Sequence, residues 1–219
     1  VRKDFIKGLN ELGIKKPTEI QEKTIPFLLE ERTDFIGLAQ TGTGKTAAFG
    51  LPILHQIKPN SDTIQALILS PTRELVQQIK KQLFKFTKYV DHKIFVEAVY
   101  GGEKIDRQIK NLQRTTHIVV ATPGRLIDLI ERGEIDLKNI KTLVLDEADE
   151  MLSMGFKLEI NRILKYTSGE RNTWLFSATM PDEIKRIVKN YMNINAKRVE
   201  INPASVVNEN ITHYYTVVT

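Results

Sequence analysis

The chain has 219 residues, 41% of them hydrophobic, which is enough for one sizeable core, and we read it as a single domain. Lys and Arg number 32 against 27 Asp and Glu, a net charge of +5 that is compatible with a polyanionic partner but common in proteins that have none. The absence of cysteine and the scatter of His55, His92, His117 and His213 exclude disulfides, thiolate metal sites and a structural zinc; without an apolar run near ~20 residues or a leader pattern, the expectation is a cytoplasmic protein with no membrane partner.

Short β-branched and aliphatic runs at 35–39, 66–70, 94–100, 117–121, 142–145, 173–176 and 198–201 read as strands. Longer segments of helical period separate them. In the clearest, Leu75, Val76, Ile79, Leu83 and Phe84 share one face, and Lys80, Lys81, Lys85 and Lys88 are left for the other. Continuous apolar runs such as "HIVVA" indicate strands buried on both sides, so the alternation predicts an α/β fold with a mostly parallel central sheet and helices on both faces. Ligands of such sheets sit beyond the carboxyl ends of the strands.

After the first strand comes "AQTGTGKT", Ala39 to Thr46. A glycine-rich turn before a helix exposes successive backbone N–H groups to a phosphate chain, here from Gln40, Thr41, Gly42, Thr43 and Gly44. Lys45 adds a point charge near the β and γ phosphates, and the Thr46 hydroxyl can ligate Mg²⁺. The usual pattern begins with glycine where this sequence has Ala39. The fifth strand ends in Asp146, Glu147 and Asp149. On the same rim as the phosphate loop, Asp146 is placed to hold Mg²⁺ and Glu147 to polarise a water against the γ phosphorus. The alternative is that acidic residues there merely favour a helix N-terminus. By themselves "PTREL", Pro71 to Leu75, and "TPGR", Thr122 to Arg125, read as strand-to-helix turns.

Taken together, "DEAD", Asp146 to Asp149, and "AQTGTGKT" resemble the amino-terminal RecA-like lobe of a bacterial-type DEAD-box ATP-dependent RNA helicase. Further matches fall in the family's order across nearly the whole chain: "GIKKPTEIQ" (Gly13 to Gln21, a Q motif), "PTREL", the pair Gly101 and Gly102, "TPGR", and "SAT" (Ser177 to Thr179). The resemblance implies a three-layer RecA-like P-loop NTPase domain in which Ala is the normal first residue of the loop. It implies ATP and Mg²⁺ as cofactors, with Lys45, Asp146 and Glu147 catalytic and Lys16, Thr18 and Gln21 added to the nucleotide site. The Gln21 carboxamide can pair with adenine N6 and N7, and no guanine-type tetrad is present. Pro71, Thr72, Arg73, Gly101, Gly102, Thr122, Pro123, Gly124 and Arg125 would grip an RNA backbone without reading sequence. Asp149, Ser177 and Thr179 would couple hydrolysis to lobe movement.

Two departures accompany the matches. The family's adenine-stacking aromatic falls before Val1, and Phe5 sits on an apolar helix position, so it reads as core. The second lobe, with its arginine fingers, has no counterpart here. Residues 1–201 are therefore expected to be the first lobe, a monomer as a fragment, and 202–219 a linker and first strand toward the missing lobe. Two other readings stay open: a nucleotide-binding module without enzymatic competence, and a different phosphate-loop ATPase such as a DNA helicase.

Overall fold

The computed structural model describes residues 2–167 and 169–201; the expected linker and terminal strand at 202–219 lie outside the described residues. The strands are β1 (Phe35–Leu38), β2 (Ala66–Leu69), β3 (Val96–Val99), β4 (Ile118–Ala121), β5 (Thr142–Leu145), β6 (Asn172–Ser177) and β7 (Lys197–Glu200). The helices are α1 (Lys3–Glu11), α2 (Glu19–Glu30), α3 (Lys45–Gln56), α4 (Arg73–Phe86), α5 (Ile105–Leu112), α6 (Pro123–Glu131), α7 (Ala148–Ser153), α8 (Lys157–Tyr166) and α9 (Asp182–Tyr191). The strands form one sheet in the order β3-β4-β2-β5-β6-β1-β7. Every described pairing is parallel, so the expected mostly parallel sheet is wholly parallel among the described residues.

Alternation of side chains gives each strand two cores. Phe35, Ile68, Val120, Val144 and Trp174 pack beneath α1 to α4, whereas Ile36, Leu67, Val119, Leu143 and Leu175 pack beneath α6 to α9. Each such side chain, fully withdrawn from water, contributes about 1.5–3 kcal/mol, which is why short strands suffice in a three-layer fold. Phe5 is fully buried in the first core, as expected. Gly37 is needed in β1 because a Cβ there would lie 2.8 Å from the Phe176 ring, which packs between Phe35 and Phe49.

One helical face differs from expectation. The buried stripe of α4 is Val76, Ile79, Leu83 and Phe86, whereas Phe84 is 73% exposed and Leu75 only half-buried. The spacing of three, four and three residues keeps Phe86 in line with Val76 and Ile79. Phe84, one position beyond Leu83, is turned ~100° away from that stripe.

Candidate functional site

A wholly parallel sheet brings every strand's carboxyl end to one rim. The strand order then divides that rim: β5, β6 and β1 carry the phosphate loop and the acidic residues, and β3, β4 and β2 carry Gly101–Gly102, "TPGR" and "PTREL". The two sets of candidate residues are separate clusters on adjacent halves of one edge.

In the first half, Gly42 and Gly44 adopt φ of 84° and 92°, left-handed values that let the loop turn its backbone inward before α3 begins at Lys45. Thr43 closes the turn by donating to the Gln40 carbonyl at 2.7 Å. Lys45 is buried, and its Nζ donates to the Ala39 carbonyl at 3.0 Å. Opposite, Glu147 has φ 50° and ψ 51° and is the only non-glycine residue with positive φ among the described residues. Holding a glutamate there costs about 1–3 kcal/mol, and the turn swings its carboxylate toward the loop, where Oε1 accepts a hydrogen bond from Thr41 Oγ1 at 3.2 Å.

Asp146 is buried beside them, and its Oδ1 has no hydrogen-bond partner among the described residues. Burial pushes its pKa up to about 7, with Lys45 pulling it down and Glu147 raising it. The Asp146 carboxyl, the Lys45 ammonium and the glycine cradle thus come together at one place. The donor set suits an anionic chain carrying a hard cation, with Asp146 and the Thr46 hydroxyl as the oxygen ligands the protein could offer. Gln21, Thr41, Gly42, Gly44, Lys45, Thr46, Asp146 and Glu147 line one cavity of about 490 Å³.

Gln21 reaches this cavity from α2. Its Oε1 accepts from the Thr18 N–H at 3.1 Å in a capping box, and its Nε2 donates to the Gly44 carbonyl at 3.1 Å. A Cβ on Gly44 would collide with that Nε2, so Gln21 and the loop are fitted to each other. One N–H and one lone pair of the carboxamide stay free, the number an adenine edge needs. Lys16 is exposed and does not line the cavity, and Thr18 meets it only through Gln21 and Gly44. Sequence reading missed the wall formed by Leu75, Gln78, Ile79, Gln82 and Phe86 together with Leu12 and Ile14. Leu75, Gln78 and Gln82 lie one position round α4 from the core stripe, but their spacing alone does not show what they face.

In the other half, Thr72 caps α4 by accepting from the Leu75 N–H at 3.3 Å, with buried Pro71 before it and exposed Arg73 after it. Gly101 and Gly102 are exposed, and a Cβ on Gly102, at φ 85°, would lie 3.6 Å from Arg73 Nη1. Thr122 is the N-cap residue of α6 and Pro123 its first helical position; both are buried, and Gly124 is half-exposed. Arg125 Nη1 donates to the Glu103 carbonyl at 3.1 Å and to Gln108 Oε1 at 3.2 Å. Buried Gln108 in turn donates to the Tyr100 carbonyl at 2.9 Å. Gln108, which ties the double-glycine turn to "TPGR", carries no motif and was not legible from the sequence.

Within the first half, at the ends of β5 and β6, Thr179 donates to Asp149 Oδ2 from both its backbone N–H, at 2.9 Å, and its hydroxyl, at 2.8 Å, and Ser177 Oγ accepts from the Asp149 N–H at 3.3 Å. Burial would raise the Asp149 pKa, but bonds from Thr179 and Ser177 outweigh it and hold the carboxyl below its ordinary value. The three coupling candidates therefore form one cluster joining β6 to α7.

Residues 18–187 match the family model described as DEAD/DEAH box helicase. The chain is 54% identical to the ATP-dependent RNA helicase CshA of Listeria monocytogenes over 86% of its own length and 36% of that protein's. It is 45% identical to the DEAD-box ATP-dependent RNA helicase CshA of Geobacillus kaustophilus over 97% of its length and 44% of that protein's. The crystal structure of a DEAD box protein from Methanococcus jannaschii superposes with a TM-score of 0.85 at 39% identity, covering 90% of this chain and 53% of that one. The chain thus spans about two fifths of the length of these two curated relatives.

Proposed function

The chain belongs to the DEAD/DEAH box helicase family, and on that premise we propose that it is the ATP-binding first lobe of an ATP-dependent RNA helicase, with residues 202–219 leading to a second lobe. The observation that carries the reading is the facing of the two edges: Thr41 of the phosphate loop is bonded to Glu147 at 3.2 Å, beside Asp146 Oδ1, unpartnered among the described residues.

In this reading the backbone N–H groups of Gln40 to Gly44 cradle the phosphates, and Lys45 leaves the Ala39 carbonyl to meet the β and γ oxygens. Thr46 and Asp146 hold Mg²⁺, which when bound offsets the charge of those oxygens. Glu147 releases Thr41 and accepts the proton of the attacking water. Gln21 uses its spare donor and acceptor on adenine, with Lys16 and Thr18 at the outer edge of that pocket. Leu12, Ile14 and Phe86 add apolar surface to the wall of that pocket.

Pro71, Thr72, Arg73, Gly101, Gly102 and Thr122 to Arg125 hold the RNA backbone on the adjacent half of the rim, so binding is insensitive to sequence. Ser177 and Thr179, bonded to Asp149, carry a change at the acidic edge into β6. ATP binding would close two lobes on a single strand and part short duplexes, and hydrolysis would reopen them. The test is Glu147→Gln in the full-length protein: ATP affinity should stay within a few-fold while steady-state phosphate release stops. Undiminished turnover would remove Glu147 from its role.

A further inference from the structure

The outer edge of the sheet carries a feature that the rim residues do not use. Among the described residues β3 pairs only with β4, and on its other side a cavity of about 440 Å³ opens between α4 and α5. Its walls include Lys80, Lys81 and Phe84 from α4 and Arg107 from α5. Residues 77–114 hold nine Lys and Arg against four Asp and Glu, a surplus equal to the +5 of the whole chain. Lys80 is paired with Glu97 at 2.9 Å and Arg107 with Glu103 at 3.4 Å, whereas Lys81 forms no ion pair among the described residues.

The exposed phenylalanines are placed as unevenly as the charge. The two phenylalanines classed as exposed among the described residues, Phe84 at 73% and Phe95 at 43%, both belong to this edge. An exposed ring between cations is poorly matched to water but well matched to a nucleobase on a phosphate chain. The cleft is also continuous with the rim: Tyr100 lines it and directly precedes Gly101, and its hydroxyl accepts from Gln77 Nε2 at 2.7 Å, one turn along the helix that starts at Arg73.

We propose that this cleft is an additional site for single-stranded RNA, taking the stretch of strand that leaves Gly101–Gly102 and descends along β3. Lys81 and Arg107 meet its phosphates, and Phe84 stacks on a base. The inference rests on the RNA reading of the rim and extends it to a surface outside the motifs. It requires affinity to keep rising with RNA length after the rim is filled, with a salt dependence that reports the extra phosphates.

The test measures binding of oligouridylates of increasing length to the 219-residue chain at several salt concentrations. Lys81→Glu with Arg107→Glu should remove about tenfold of the affinity for long strands and lower the slope of log K against log salt by about 1.4, while short strands bind as before. Phe84→Ala should cost about fivefold on long strands with the slope unchanged. Lys165→Glu with Lys189→Glu, an equal charge change on the α8 and α9 surface, should leave the length dependence intact. A wild-type chain that binds no RNA of any length would overturn the rim reading and the cleft with it. Retained length dependence in the cleft variants, or an equal loss in the Lys165 and Lys189 control, would overturn the cleft alone.

Discussion

Asp146 shows what a buried carboxyl costs the fold. Its folded pKa, pushed up to about 7 by burial, lies above the ordinary 3.8. Below about pH 4 both folded and unfolded chains hold the proton, and the group is neutral toward stability. As pH rises from about 4 to 7 only the unfolded chain releases it, so the penalty grows and then levels off. At 1.36 kcal/mol per pH unit the full penalty is roughly 4 kcal/mol. Asp146→Asn should therefore stabilise the nucleotide-free protein at pH 8, by an amount that shrinks to nothing near pH 4 in denaturant titrations. A gap independent of pH would mean that Asp146 is already ionised or solvated. If Asp146 holds Mg²⁺ as proposed, the same substitution should weaken Mg²⁺-dependent nucleotide binding while raising the melting temperature.

At the scale of elements, β3 is a weakly secured edge strand, with side chains mostly half-exposed while β1, β2, β4 and β5 are fully buried. Its start is pinned by His117, where Nδ1 accepts the Phe95 N–H at 3.0 Å inside the protein. That bond requires the neutral ring, and burial holds the His117 pKa below the ordinary 6.5, against the opposing pull of the Ser61 and Pro59 backbone and Asp62. The contribution is complete above pH 6.5 and is lost as pH falls toward the depressed value. Hydrogen exchange, corrected for its intrinsic pH dependence, should show the Phe95 amide losing protection as pH falls below the ordinary histidine range, before Ile36 of β1 does. Simultaneous loss would show that the sheet opens as one body. The βα alternation was legible because strands buried on both faces appear as unbroken apolar runs, and the phosphate loop and "DEAD" because each is contiguous. Phe84 was misassigned because adjacent residues of a helix differ by ~100° and only the neighbouring layer decides which is inside. Gln108 and the α4 wall of the nucleotide cavity depend on side chains meeting across elements, information that local spacing does not hold.

For the whole molecule, the cavity proposed to take the nucleotide is lined by no arginine among the described residues. In phosphate-loop hydrolases an arginine supplied from another lobe or protein contributes ~10³ to 10⁵ in rate. The 219-residue chain should accordingly bind ATP yet release phosphate at least about a thousandfold more slowly than the full-length protein with RNA, measured side by side. Comparable rates would mean that the lobe is catalytically self-sufficient. The uniform strand direction leaves the opposite end of the sheet, where β5 enters after Asn139, about 13 Å or more from either cluster of candidate residues. Since the sequence holds no thiol of its own, a single Asn139→Cys would give a dye one attachment point on that quiet end, from which the approach of another body to the working rim could be watched without touching it.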